Sequence, residues 1–102
     1  MSKPLTKAKI TAALAAEAGL PGWAWQGGAL VKTFTFSDFK AALAWMVRAG
    51  FEAEAMNHHP EWTNVYNRVS VRLNTHDAGA KVTAKDVALA RRMERIGVGV
   101  GA

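Results

Sequence analysis

A chain of 102 residues has the length of one domain and leaves no room for a second. Half of its residues are hydrophobic and 21% are charged, the balance of a globular protein with a real core. The absence of cysteine excludes disulfides and thiolate metal sites, and the formal charge of +5 raises nucleic acid as a partner.

The charge does not resolve into a nucleic-acid footprint. Lys3, Lys7 and Lys9 lie near the start, and Arg91, Arg92 and Arg95 cluster late, where a helix C-terminus favours cations. No basic run is interleaved with stacking aromatics, so a solvated basic surface is expected and nucleic acid is not. "MSKPLTKAKI" lacks the apolar core of a signal peptide, and no stretch reaches the roughly 18 apolar residues of a membrane span. A cytoplasmic protein without membrane contact is the expectation. A domain this small leaves apolar surface uncovered, so self-association would help it.

Thr6 to Ala18, "TKAKITAALAAEA", predicts a first helix with Ile10, Ala13, Leu14 and Glu17 at helical spacing. Gly19 and Pro21 stop it. Two short strands follow, near Trp23–Gln26 and Leu30–Phe36, joined through Gly27-Gly28, a dipeptide that tolerates positive φ and signals a hairpin. In the second strand Leu30, Phe34 and Phe36 share a face, and Lys32 breaks the apolar alternation.

Ser37 is the expected N-cap of a long helix, "SDFKAALAWMVRAGFEAEAMN". Phe39, Leu43, Met46, Val47 and Gly50 trace its predicted inner stripe, with Asp38, Arg48 and Glu52 solvated. Trp45 falls off this stripe, which suits either a subunit contact or the edge of the core. From Val65 the period becomes two. Val65, Val69, Val71 and Leu73 point one way, while Tyr66, Arg68, Ser70, Arg72, Asn74 and His76 point the other. A break at Asn67-Arg68 would divide this into two strands. After the loop "THDAGAK", "TAKDVALARRMERI" predicts a last helix, with Thr83 and Asp86 spaced as a capping box and a frayed tail "GVGVGA". The order α-β-β-α-β-β-α, with hairpin-length connections, gives an α+β domain over residues 1–102: a four-stranded antiparallel sheet with helices packed on one face.

The chemistry concentrates in "EAMNHHPEW". Pro60 disfavours helical geometry at His59, so the long helix is expected to end at about Asn57 or His58. Glu54 and His58 would then sit four apart on the last turn, with Glu54 and the helix dipole both favouring a charged His58. The break redirects His59, so that two imidazoles a helix would splay by about 100° can face one cleft. His76 ends the last strand on its polar face, with Asp77 and Asp86 near enough in sequence to orient an imidazole. The alternatives are plain: exposed histidines at element ends, Asp86 as a cap, and Trp62 as a core aromatic. Three histidines also suit zinc. Adjacent ligands such as His58-His59 are unusual for one metal, however, and Glu54 is explained by orienting His58.

The stretch "NHHPEWTNVYNRVSVRLNTHDAG" resembles the signature of the pterin-4a-carbinolamine dehydratases, whose animal members also serve as dimerisation cofactors of a homeodomain transcription factor. The matching positions are Glu54, His58, His59, Pro60, Tyr66, His76 and Asp86, with Glu61-Trp62, Asn64, Asn67 and Thr75 also fitting. Upstream, Gly22-Trp23 and "FTFSDF" are similar to the family's first hairpin and long-helix start, so the likeness spans roughly Pro21 to Ile96. Three features depart from the pattern: a loop "DAGAKVTAKD" one residue longer, Lys85 in place of arginine, and Thr63 in place of an aromatic.

The resemblance implies dehydration of 4a-hydroxytetrahydropterin to quinonoid dihydropterin, recycling the cofactor of aromatic amino-acid hydroxylases. The leaving hydroxyl needs an acid and the N5 proton needs a base, and imidazole supplies both forms near neutral pH. No metal, redox cofactor or nucleophile is required. On this basis His58 and His59 carry the proton transfers, and His76 stabilises or shares the proton. Glu54 holds His58, Pro60 and Trp62 wall the flat ring, and Asp86 supports His76 or the ring nitrogens. The family also implies a homodimer or homotetramer, and a hydroxylase as a possible partner. The competing function is a non-catalytic association or transcriptional-coactivator module of the same fold.

Overall fold

The computed structural model describes residues 3–15 and 19–100, with side chains as far as Ile96. Helix α1 runs Lys7–Ala15 behind Thr6, whose Oγ1 accepts from the Lys9 N–H at 3.2 Å. Ile10 is buried and Ala13 and Leu14 pack beside it, as their spacing predicts. Glu17 and Ala18 lie outside the described residues.

Strands β1 (Ala24–Gln26) and β2 (Ala29–Thr35) form the first hairpin, with Gly27 and Gly28 both at positive φ, 56° and 78°, as a two-residue turn of this hand requires. Strands β3 (Glu61–Val65) and β4 (Arg68–Leu73) form the second. The sheet order is β1-β2-β4-β3, every neighbour antiparallel, with Leu30 opposite Leu73 and Phe34 opposite Val69 at its centre. The α+β architecture and its element order stand as expected, with one short 3-10 turn, His76–Ala78, added before α3 (Ala84–Val100). That last helix continues past Ile96 through part of the tail expected to fray; Gly101 and Ala102 lie outside the described residues.

Lys32 keeps its place on the inner face and finds partners there. Its Nζ lies 2.7 Å from Glu94 Oε2, donates to the Pro21 carbonyl at 2.8 Å and sits 4.6 Å from the centroid of Phe34. The second hairpin turns at Tyr66-Asn67, one residue early, and β3 reaches back to Glu61. Val65 therefore pairs with Arg68 and faces outward, not into the core with Val69, Val71 and Leu73.

The largest correction concerns α2 (Phe39–Met56). Asp38, not Ser37, caps it, with Oδ1 accepting from the Ala41 N–H at 2.8 Å. Its buried face is Ala42, Trp45, Ala49 and Ala53, while Phe39, Leu43, Val47 and Phe51 are exposed. Alanines let the helix lie close to the sheet and to α3, and the one large residue among them fills the space left. Trp45 is 0% exposed. Its ring lies 4.4 Å from Phe34 and 5.5 Å from Phe36, and its indole N–H donates to the Met93 carbonyl at 3.3 Å.

Candidate active site

The helix α2 ends one residue before the expected point, and for a different reason. Asn57 adopts the left-handed conformation, φ 51° and ψ 43°, so the His58 N–H bonds back to the Ala53 carbonyl and the Asn57 N–H to that of Glu54. This is the hydrogen-bond pattern of a Schellman stop, with asparagine in glycine's place. Pro60 acts only on His59, and both histidines lie beyond the helix.

This turn exchanges the expected partners. Glu54 meets His59, not His58, with Oε1 2.8 Å from Nε2 in an exposed pair. His58 swings inward, 8% exposed, and places Nε2 2.6 Å from Asp86 Oδ1. Asp86 accordingly supports His58 rather than His76. It is 0% exposed and also closes the expected capping box, where Oδ2 accepts from the Thr83 N–H at 2.8 Å and Thr83 Oγ1 from the Lys85 N–H at 3.2 Å. The two readings of Asp86 are compatible because one oxygen serves each.

Thr75 completes the buried network. Its hydroxyl donates to Asp86 Oδ2 at 2.8 Å and lies 2.6 Å from Thr83 Oγ1. Burying a carboxylate is costly unless its lone pairs are met, and here three donors meet it.

His76 is exposed and opens the 3-10 turn instead of ending β4. Thr75, paired as a lone bridge with Lys81, and Gly79 and Ala80, both at positive φ, fold this loop back. The result is an open cleft of about 340 Å³ lined by His58, His59, Pro60 and His76. Around them stand Asn57, Glu61, Arg72, Asn74, Thr75, Asp77 and Lys85. In the sequence Arg72 and Asn74 are alternate residues leading to His76 on one strand face, a pattern that by itself signals a solvated face and not a site.

Of the remaining expected site residues, Glu54 sits at the rim with His59, and Asp86 lies beneath the cleft behind His58. Trp62 does not line the cleft. It faces the core, half-buried, with its ring 6.1 Å from Trp45. Among the described residues, no three histidine, aspartate or glutamate side chains converge as a set that could hold a metal ion. No described helix is long and apolar enough to cross a membrane.

Residues 3–96 match the family model for pterin 4 alpha carbinolamine dehydratase. A relative from Opitutus terrae that carries a pterin-4-alpha-carbinolamine dehydratase name is 69% identical over 77 residues, covering 76% of this chain and 79% of the relative. One of the same name from Mesorhizobium japonicum is 52% identical over 89 residues, 87% and 89% of the two chains. A crystal structure from Brucella melitensis, described as a transcriptional coactivator/pterin dehydratase, superposes with a TM-score of 0.85 at 42% identity. That match covers 92% of this chain and 98% of that one.

Proposed function

The chain belongs to the pterin 4 alpha carbinolamine dehydratase family, and from that premise we propose that its histidines carry the protons in the loss of water from a 4a-hydroxytetrahydropterin. It is a hydro-lyase, and dehydration of a pterin carbinolamine is its reaction class. The observation that carries the finer reading is that all three histidines of the chain line one cleft, two of them with carboxylate partners.

Dehydration breaks the C4a–O bond. A proton must reach the leaving hydroxyl, and the proton on N5 must depart so that the N5–C4a double bond can form. Water and quinonoid dihydropterin are the products, with no net redox change. His58 and His59 perform these transfers, and His76 shares the proton across the cleft. Asp86 holds His58, Glu54 steadies His59, and Pro60 offers a flat wall to the ring. Trp62, packed against Trp45, supports β3 and leaves the wall to Pro60. The product suits recycling to an aromatic amino-acid hydroxylase in the cytoplasm.

The test is turnover of a freshly generated carbinolamine by H58A and H76A. General acid–base catalysis contributes typically 10²–10⁴-fold, and a loss on that order is expected for H58A. Less than about a threefold loss in both variants, small beside that range, overturns the assignment.

A second reading, association, has its own observation. Phe39, Leu43, Val47 and Phe51 form an exposed apolar stripe on α2, large for a protein that stays monomeric. Pairing of copies into a dimer or tetramer through this face accompanies catalysis here. A chain that associates yet leaves the carbinolamine untouched would instead be a pure association module.

A further inference from the structure

We propose that Thr75 and Thr83 are positioning residues that fix which nitrogen of His58 carries its proton. The proposal rests on the catalytic reading above. Thr75 has one hydroxyl proton, and it goes to Asp86 Oδ2 at 2.8 Å. The contact between the two threonine oxygens at 2.6 Å must then be donated by Thr83, whose own oxygen accepts from the Lys85 N–H. The chain of donors therefore runs one way, from the start of α3 through Thr83 and Thr75 to the carboxylate.

Oδ2 is thereby filled by two donors, the Thr75 hydroxyl and the Thr83 N–H, and Oδ1 faces His58 at 2.6 Å. A carboxylate only accepts, so the His58 Nε2 must donate, and in the neutral imidazole Nδ1 then keeps the lone pair. Among the described residues Nδ1 has no protein partner, and no buried polar side-chain atom is left without one. It therefore reaches solvent where His58 lines the cleft. His58 in this way keeps Nε2 with Asp86 and presents Nδ1 to the cleft as the nitrogen that exchanges a proton there.

Long-range ¹H–¹⁵N correlation spectra of histidine-labelled protein read the tautomer directly, whether or not a pterin is turned over. In the wild type His58 is expected to be protonated on Nε2. In T75V Oδ2 keeps only the Thr83 N–H, the carboxylate can turn away from Nε2, the spectrum moves to mixed tautomers, and kcat falls at least about tenfold with KM changed less than about twofold. T75S restores both readouts. If T75V does not fold, D86N decides instead. The two donors hold the amide oxygen on the threonine side, its NH₂ faces His58, and the proton moves to Nδ1. A wild-type His58 protonated on Nδ1, or a T75V or D86N protein with an unchanged tautomer, overturns the proposal. A wild type that never dehydrates a carbinolamine but shows the tautomer response retains the positioning geometry and overturns only the function it was taken to serve.

Discussion

Glu54 Oε1 lies 2.8 Å from His59 Nε2, five residues on, while His58 between them turns away to Asp86. The two carboxylate–imidazole pairs differ in surroundings. The Glu54–His59 side chains are 76% and 58% exposed, whereas those of Asp86 and His58 are 0% and 9% exposed. An exposed pair contributes at most about 1 kcal/mol, which corresponds to less than about fivefold in rate. E54A is therefore expected to keep its folding stability within about 0.5 kcal/mol and most of its turnover. D86A leaves a buried imidazole and two threonines without their acceptor and removes half of the capping box. Urea midpoints and dehydration rates of the two variants, measured side by side, check this ordering. Equal losses in both would contradict it.

Asn57 is the second point of control. A non-glycine residue in the left-handed region costs roughly 1–2 kcal/mol unless its side chain helps locally, as asparagine's does. N57A is expected to lose about 1 kcal/mol in a denaturant titration, and N57G to match or exceed the wild type. Since Asn57 aims His58 inward, N57A also lowers turnover in the folded fraction. N57G does not, because glycine holds the same backbone angles. A stable N57A with full activity would show that the helix stop has another cause.

These two residues also show what could be read from the chain before folding. Period-two alternation marks β4, the glycine pair marks the first hairpin, and Pro60 marks the end of an element beside two histidines, because each is a local rule. Pairing Glu54 with His58 by i, i+4 spacing assumed that the helix persisted through His58, and one left-handed residue removed that assumption. Asn57 carries only a weak sequence signal for this conformation. Thr75 lay beside His76 and Thr83 opened the capping box, yet their joint hold on Asp86 depends on how a folded-back loop meets α3. No spacing rule encodes that.

The face of α2 failed for an energetic reason. Hydrophobicity alone favours Phe39, Leu43 and Val47 as the buried stripe, but packing rewards shape. Alanines at 42, 49 and 53 permit close approach and leave Trp45 to fill the centre, surrounded by Phe34, Phe36 and Trp62. W45A is expected to cost about 3–5 kcal/mol, enough to unfold a marginal domain. W45F, which retains most of the volume and loses the hydrogen bond to Met93, should cost less. Thermal unfolding of both variants checks the order, and a W45A protein as stable as wild type would be incompatible with this core.

The exposed stripe predicts the opposite behaviour. Phe51 is 72% exposed and Val47 just over half, so lysine at either position removes little from the monomer's core and should shift its stability by less than about 0.5 kcal/mol. If the stripe joins copies of the chain, two charges in it would each lose hydration on pairing and repel their symmetry mates. V47K/F51K should then elute from gel filtration near the 11.0 kDa of one chain, while the wild type elutes at a multiple of it. All three histidines of the cleft come from one chain, so the separated protein should keep its dehydration turnover when assayed at the same chain concentration. A wild type already at 11.0 kDa would remove self-association as the stripe's purpose. Loss of turnover in a folded V47K/F51K monomer would mean that a neighbouring copy completes the cleft.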